Sequence, residues 1–242
     1  MIARRFHSLW VALAVALWSL AGGAGSLLSP SWSTYVGGIS EPDGVTALAP
    51  MGEGGCFAAG FLGEGYLSGG SFDSIGGRDG MVMRILPDGT LAWVSPVGSD
   101  SNDKVTGLAG SPEQLYAVGF SETSSSLEGG SVAFIASLIP RTGEPNWPIR
   151  RMGDYEGTNA FTAVALDGKG GVYAVGYAST RGLGQGLPAP SPGGESDGSR
   201  LAGDVDAVAA KFDSMGRLLW WRYIGGENFD RALSCTFREG AL

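Results

Sequence analysis

The sequence predicts an all-β fold built from repeated four-stranded units, and three observations support this prediction. Glycine accounts for 42 of the 242 residues, yet 43% of the residues are hydrophobic, which suits many short strands joined by tight turns. Similar stretches begin with tryptophan at four places, Trp32, Trp93, Trp147 and Trp220. Short apolar segments recur in the same order between them, and none has the length and 3.6-residue period of a helix.

Each unit contains four apolar segments of about five to seven residues, bounded by Gly, Pro, Asp or Ser. The first type reads "VTALA", "VTGLA", "FTAVA" and "ALSCTF", and the second reads "CFAAGF", "LYAVGF" and "VYAVGY". The third reads "DGMVMRI", "VAFIASL" and "DAVAAKF", and the fourth begins with the tryptophan. Four strands in a repeat of roughly 40–70 residues are typical of a β-propeller blade. We expect the four types to run from the innermost strand to the outermost.

The repeat defines the predicted domain organisation. Three units span residues 32–92, 93–146 and 147–219, and a partial unit spans 220–242. Inner and outer strands number four each, whereas second and third strands number three. The sequence therefore predicts antiparallel blades, about three complete and part of a fourth, in an incomplete ring. The innermost strand near Ala232 would stand alone with an unpaired edge, so we interpret the chain as a fragment or truncated product of a longer propeller.

The third unit, with "GGVYAVGY" followed by "DAVAAKFDSMGRLLWWRYIGG", resembles the SBBP-type β-propeller repeat of secreted and cell-surface proteins. The resemblance covers nearly all of residues 32–242. The second unit departs from it, because Val132 replaces the usual Asp and Ser137 replaces the usual Lys. The resemblance implies no shared catalytic residues. It therefore implies a non-catalytic extracellular module for binding or scaffolding, with an unidentified protein or glycan as partner.

Residues 1–26 have the pattern of a secretory signal peptide. A basic "MIARR" precedes the apolar "LWVALAVALWSLA", and small residues follow. Thirteen apolar residues are too few for a helix that crosses a bilayer. We therefore expect a secreted or cell-surface protein in which residues 27–242 form the repeat region, with no membrane span after cleavage. An uncleaved membrane anchor is the alternative.

The composition excludes several kinds of site. His7 is the single histidine of the chain and lies in the predicted signal, so the mature protein has no histidine-activated nucleophile and no His-ligated zinc. The net charge of −8 argues against nucleic acid as a partner. We therefore predict no enzyme and no cofactor. Two alternatives stay open: a piece of a quinone-dependent dehydrogenase, suggested by the turn "RTGEPNW", and a carbohydrate-active propeller that uses two carboxylates.

The aromatic residues and the cysteines receive structural interpretations. The four tryptophans are expected to pack between sheets, largely buried except for Trp32, rather than to act as platforms for sugars. Tyr116 and Tyr173 are expected in the packed interior. Cys56 and Cys235 occupy apolar positions of the repeat, so we predict two unpaired thiols rather than a disulfide.

The loops between the second and third strands and the loops that lead into the next inner strand should open on one face, because strand direction alternates. Variable insertions gathered on one face of a repeat protein commonly mark its binding surface. Asp43, Asp103 and Asp230 are candidate calcium ligands there. The alternative is a solvated acidic rim. The acids of the loops that lead into inner strands are Glu41, Asp43, Asp100, Asp103, Asp154, Glu156, Glu227 and Asp230.

Overall fold

A computed structural model describes most of the repeat region. The described residues are 32–34, 36–37, 42–52, 54–63, 66–67, 70–71, 75–122, 130–154, 156–179 and 201–238. The predicted signal peptide, residues 1–26, lies outside them. Within this part of the chain every regular element is a strand, and no helix is long and apolar enough to cross a membrane.

Twelve of the strands form three separate four-stranded antiparallel sheets, each of which winds up and down in chain order. The strands are β1 Gly44–Pro50, β2 Cys56–Leu62, β3 Tyr66–Leu67, β4 Gly70–Ser71, β5 Asp79–Ile85, β6 Leu91–Val97, β7 Asp103–Gly110, β8 Leu115–Glu122, β9 Ser131–Leu138, β10 Pro145–Met152, β11 Asn159–Leu166, β12 Val172–Ala178, β13 Asp206–Phe212 and β14 Leu218–Ile224. The first sheet has the order β1-β2-β5-β6, the second β7-β8-β9-β10, and the third β11-β12-β13-β14. A short hairpin, β3 with β4, lies in the loop after β2 and was not predicted from the sequence.

The predicted strand types and their order within a sheet are confirmed for all three complete units. The tryptophan strand lies at one edge of each sheet and the "VTALA"-type strand at the other. The three sheets do not close into a ring. What the structure shows is therefore an all-β stack of three equivalent sheets.

A glycine in each second strand allows the first strand to approach closely. A Cβ added at Gly60, Gly119 or Gly176 would overlap the backbone carbonyl oxygen of the neighbouring first strand. Beside each glycine the pairing register shifts by one residue, at Thr46, Thr106 and Thr162. Such a bulge turns one side chain away from the regular ladder, and here the side chain is always a threonine.

These threonines link one sheet to the next. The Thr46 hydroxyl donates to the carbonyl oxygen of Val105 in the second sheet at 2.5 Å. The Thr106 hydroxyl donates in the same way to Phe161 in the third sheet, also at 2.5 Å. Because Val105 and Phe161 lie in β7 and β11, the first strands of successive sheets lie side by side. Thr162 continues the series with a 2.6 Å hydrogen bond to the carbonyl oxygen of Ala232.

The hydrophobic core lies between the sheets. One buried cluster joins the first sheet to the second and contains Phe57, Val97 and Phe134. Another joins the second to the third and contains Met152 and Phe161. A third cluster lies on the outer side of the first sheet, where Trp32 and Val36 pack against it. The first and second sheets therefore contribute buried apolar side chains to these clusters from both faces, whereas the third sheet contributes them from one face.

The lone inner strand predicted at Ala232–Phe237 is not present as a strand. Residues 230–238 have no regular secondary structure and no strand pairs with them. The segment still follows the course of a first strand at its start, because Asp230 N–H donates to Val205 O at 2.9 Å and Ala232 N–H to Gly176 O at 3.1 Å. A β-strand needs a paired neighbour, and the described residues provide none beside this segment.

Candidate functional site

The connections at the two ends of the strands differ in length. We call one edge the turn face, which carries the short connections between first and second strands and between third and fourth strands. We call the other the loop face, which carries the longer connections between second and third strands and the loops leading into the next sheet. Among the described residues, the turn face comprises 51–52, 54–55, 86–90, 111–114, 139–144, 167–171 and 213–217, and the loop face comprises 63, 66–67, 70–71, 75–78, 98–102, 130, 153–154, 156–158, 179, 201–205 and 225–229.

The two kinds of connection on the loop face do lie together, as the strand directions predicted. Asp103 N–H donates to Arg78 O at 2.6 Å, and Arg78 N–H donates to the Asn102 side-chain oxygen at 3.1 Å. Ser131 N–H donates to Gly157 O at 2.8 Å. The loop after a second strand is therefore tied to the loop entering the next sheet. Most residues of the connections between second and third strands, within 64–74, 123–129 and 180–200, lie outside the described residues.

The three calcium candidates occupy equivalent places in their entry loops, and each accepts a backbone hydrogen bond. Asp43 accepts from Gly63 N–H at 2.9 Å, Asp103 from Ser99 N–H at 2.7 Å, and Asp230 from Gly226 N–H at 2.8 Å. In the third sheet Asn159 takes this place and donates its amide to Ser131 O at 3.0 Å. Asn159 shows that the position tolerates a neutral side chain with the same shape.

Asp103 is the most deeply buried of the three calcium candidates. Its side chain is buried, and burial raises the pKa of the carboxyl group above its ordinary value. Hydrogen bonds from the Ser121 and Ser99 hydroxyls and from Ser99 N–H oppose this shift, as does the positive charge of Arg151. A buried carboxylate with a raised pKa is a common feature of functional sites. Here, however, Asp43 and Asp230 accept the same kind of hydrogen bond from a loop amide.

The calcium candidates belong to different entry loops and do not form one ligand cluster. Among the described residues no group of three or more His, Cys, Asp or Glu side chains is arranged to hold a metal ion. The acids that face solvent on this face are a different set, namely Asp100, Asp154, Glu156, Asp204 and Glu227. The loop face is therefore acidic: buried Asp103 holds a loop amide, and so does exposed Asp154, whereas Asp100 and Glu227 are exposed to solvent.

Two further aspartates, Asp79 and Asp206, were missed as loop-organising residues. Both are fully buried at the start of the third strand. Asp79 accepts from Ile75 and Gly76 N–H at 2.8 and 3.2 Å, and Asp206 repeats this with Ala202 and Gly203 at 2.6 and 3.2 Å. Their recurrence in "DGMVMRI" and "DAVAAKF" was the available signal. A carboxylate that accepts two loop amides fixes the end of the long connection on the third strand.

The tryptophans cover the turn face instead of lining a groove. Trp32, Trp93 and Trp147 each lie against the turn glycine of a sheet that follows them in the chain, namely Gly89, Gly143 and Gly216. Each of these glycines has a positive φ, between 72° and 85°, where a side chain would be strained and would also strike the indole. Trp93 Nε1 donates to Pro140 O, and Trp147 Nε1 donates to Ser214 O, both at 3.2 Å.

The expected burial of these aromatic residues is only partly observed. All four tryptophans are half-buried, and three of them, Trp32, Trp93 and Trp147, lie over turns at the margin of the stack. Tyr116 is buried as expected, whereas Tyr173 is half-buried. Each tryptophan of a complete sheet also meets an aromatic ring from the second strand, with centroids 6.0–6.4 Å apart, in the pairs Phe57–Trp93, Tyr116–Trp147 and Tyr173–Trp220.

Both cysteines are free thiols in the structure. Cys56 is buried in the first sheet, and Cys235 is half-buried beside the carbonyl oxygen of Tyr173. Burial raises the pKa of both thiols, which lowers their reactivity as thiolates. Neither cysteine has the environment of a catalytic nucleophile.

Comparisons with protein-family models and with curated proteins give no match. The resemblance to the SBBP-type repeat therefore depends on the residues of this chain alone.

Proposed function

We propose that this chain is a non-catalytic extracellular β-propeller repeat module, which binds or scaffolds a protein or glycan partner through its loop face. The observation that carries the proposal is the contrast between the two faces. On the turn face, indole rings cover the glycine turns. On the loop face, exposed carboxylates at Asp100 and Glu227 belong to the loops that lead out of the fourth strands.

The residue chemistry favours binding over catalysis in this proposal. Residues 27–242 contain no histidine, and the described tryptophans and buried aspartates have structural partners in their own or the next sheet. A calcium ion is not part of the proposal, because Asp43, Asp103 and Asp230 each accept hydrogen bonds from loop amides. The exposed carboxylates would instead recognise hydroxyl or cationic groups of the partner.

A glycan array tests this proposal with matched surface variants of the secreted chain. The variant Asp100→Asn with Glu227→Gln neutralises two exposed acids of the loop face. Its control, Asp88→Asn with Glu113→Gln, removes the same charge from the turn face. We expect binding to at least one glycan class that the loop-face variant loses and the control keeps. Equal losses would contradict the proposal, and cleavage of a bound glycan would favour the carbohydrate-active alternative.

For the finer architecture we propose that the three sheets are consecutive propeller blades. The support is the repeated link between neighbouring first strands, from Thr46 to Val105 and from Thr106 to Phe161. The segment around Trp32 and residues 229–238 would then be the outer and inner strands of one further blade.

Distance measurements between spin labels test the proposed ring. With Cys56 and Cys235 replaced by alanine, labels at Ser33→Cys and Ser234→Cys report on the two segments. Three strand spacings of 4.7–4.9 Å separate the inner and outer strands of a blade, so the backbones should lie about 15 Å apart. Labels at Leu48→Cys and Ala92→Cys in the first sheet give the matched reference. A separation far beyond that reference would contradict the ring.

A further inference from the structure

The third sheet has an outward face whose equivalents elsewhere in the molecule are covered. Cross-strand pairing places Tyr177, Ala207 and Ile224 in one row of this face, and Tyr173, Lys211 and Trp220 in another. Residues 229–238 cross part of it, where Phe237 stacks on Tyr173 at 5.6 Å and Phe229 lies 6.0 Å from Tyr177. We call the exposed apolar surface formed by Ile224 of this face, together with Phe229 and Leu233 of the crossing segment, the end surface.

The repeat shows how the same positions are filled in the other two sheets. Val97 and Met152 take the place of Ile224 in the first and second sheets. They are 3% and 0% exposed, whereas Ile224 is 60% exposed. In each case the residue is apolar and directly precedes the glycine that begins the entry loop. The three positions therefore differ only in whether a further sheet packs against them.

The buried cluster that contains Met152 shows which strands of the next sheet cover this face. Its third-sheet members include Phe161 and Val164 of the first strand, and Val172, Ala174 and Val208 of the second and third strands. In the cluster that contains Val97, the second and third strands of the next sheet contribute Ala117 and Phe134. The covering layer therefore includes, beside a first strand, a two-stranded hairpin that presents apolar residues at alternate positions.

A first strand and an outer strand alone do not supply this layer. The segment at 230–232 already occupies the place of a first strand, held by Thr162 and by Gly176 O. A second copy would have to dock its first sheet there, but its own Trp32 and Val36 already pack against that side of the sheet. The elements already in place therefore favour an inserted hairpin over a second copy.

We propose that the end surface is a docking site for an apolar β-hairpin of the second-and-third-strand type, supplied by another polypeptide segment. The hairpin pairs antiparallel with residues 232–237 and covers Ile224 and Leu233. It requires a glycine where its first strand passes Ala232, because Gly60, Gly119 and Gly176 all leave no room for a Cβ at that crossing. This inference does not depend on ligand binding at the loop face.

A synthetic hairpin tests the proposal directly. The probe joins the sequences of Val172–Ala178 and Asp206–Phe212 through an Asn-Gly turn and carries a fluorescent label. We expect saturable binding to the intact chain by anisotropy, with slowed amide exchange at residues 232–237. The matched control peptide replaces the glycine equivalent to Gly176 with valine. It should bind about tenfold more weakly or not at all, because β-branched bulk meets a backbone carbonyl.

Variants of the protein locate the binding site. Ile224→Asp places a charge under the hairpin and should weaken probe binding about tenfold, the loss of roughly 1.4 kcal/mol of apolar contact. Met215→Asp is the control, since Met215 is an equally exposed apolar residue, 63% exposed, on the turn face. It should change binding less than twofold. Both sites are exposed, so neither change should prevent folding.

Three results would overturn the inference. The first is the absence of saturable binding by the unsubstituted probe. The second is equal binding by the glycine and valine peptides, which would indicate unspecific apolar association. The third is a stable dimer of the unliganded chain in sedimentation, with residues 232–237 already protected, which would make a second copy the occupant.

Discussion

The second sheet contacts the third, and the third sheet contacts residues 229–238. The two interfaces share one kind of hydrogen bond but differ in their other contacts. Both use a threonine hydroxyl on a first-strand bulge, Thr106 to Phe161 O and Thr162 to Ala232 O. Only the former adds an indole over a turn glycine, Trp147 on Gly216, and a buried Met152. The difference shows that hydrogen bonds from a first strand can hold a neighbouring segment in place, while burial of the sheet face requires a complete sheet beside it.

The largest expected effect concerns the close approach of first and second strands, which the complete sheets have and residues 229–238 lack. Gly119→Ala places a Cβ on the carbonyl oxygen of Lys104, so β7 must move away from β8. We expect a loss of about 3 kcal/mol or more in the free energy of unfolding, measured by urea denaturation. Gly226→Ala is the control, because a Cβ there has open space. Equal losses in the two variants would contradict the backbone contact.

The next prediction compares the two indoles directly. Trp147→Ala removes a hydrogen bond to Ser214 O and the cover of Gly216, and should cost about 2–3 kcal/mol of unfolding free energy. Trp220→Ala removes a ring that contacts Tyr173 of its own sheet, and should cost about 1 kcal/mol. Thermal or urea unfolding of both variants measures the difference. If Trp220→Ala costs as much as Trp147→Ala, the two contacts are equivalent and the comparison fails.

A smaller difference is expected from the threonine hydroxyls. Thr106→Val keeps the shape but leaves the Phe161 carbonyl oxygen without this partner, at a cost of about 1–2 kcal/mol. Thr162→Val should cost about 0.5 kcal/mol, since Ala232 is half-buried whereas Phe161 is fully buried, so that water can replace the lost donor. Amide exchange should show faster opening of residues 230–238 in Thr162→Val alone. Unchanged exchange there would mean that this hydroxyl does not hold the segment.

The smallest expected effect is a pH dependence that distinguishes the entry loop at Asp103 from the one at Asn159. Because the folded-state pKa of Asp103 is raised, its ionisation costs stability, and its contribution falls as pH rises above the ordinary aspartate pKa of about 3.9. Asp103→Asn, which copies the third sheet, should therefore gain stability relative to the wild type between about pH 4 and pH 7. A constant difference across that range would show that the carboxyl group does not titrate there.

The sequence predicted the strands well because each strand type recurs with its own turn signals. The second strands start at Cys56, Leu115 and Val172, where the repeated "YAVG"-like motif begins. The contacts between sheets were harder to predict, because they depend on geometry that no single repeat contains. The threonine of "VTALA" reads as an ordinary strand residue until its bulge directs it to Val105.

Two errors have a common physical cause. The segment at Ala232 was expected to be a strand from its apolar pattern, and the tryptophans were expected to be largely buried from their regular recurrence. A repeated apolar pattern indicates which side chains a neighbouring element would bury. Their actual burial depends on whether that neighbouring strand or sheet is present. Trp147 lies at the edge of the stack, and Ala232 has no paired strand in the described part of the chain, so both are less enclosed than their patterns suggest.

The up-and-down order within each sheet also has a consequence for how the chain folds. Every strand of a sheet pairs with the next strand of that sheet along the chain, so each sheet can form from local contacts as it is synthesised. The long connection between β12 and β13 is the slowest closure, and its entropic cost grows only weakly with length. Sheets that meet only their neighbours gain stability stepwise. A defect such as Gly119→Ala should therefore disrupt its own sheet first, leaving distant repeats able to fold.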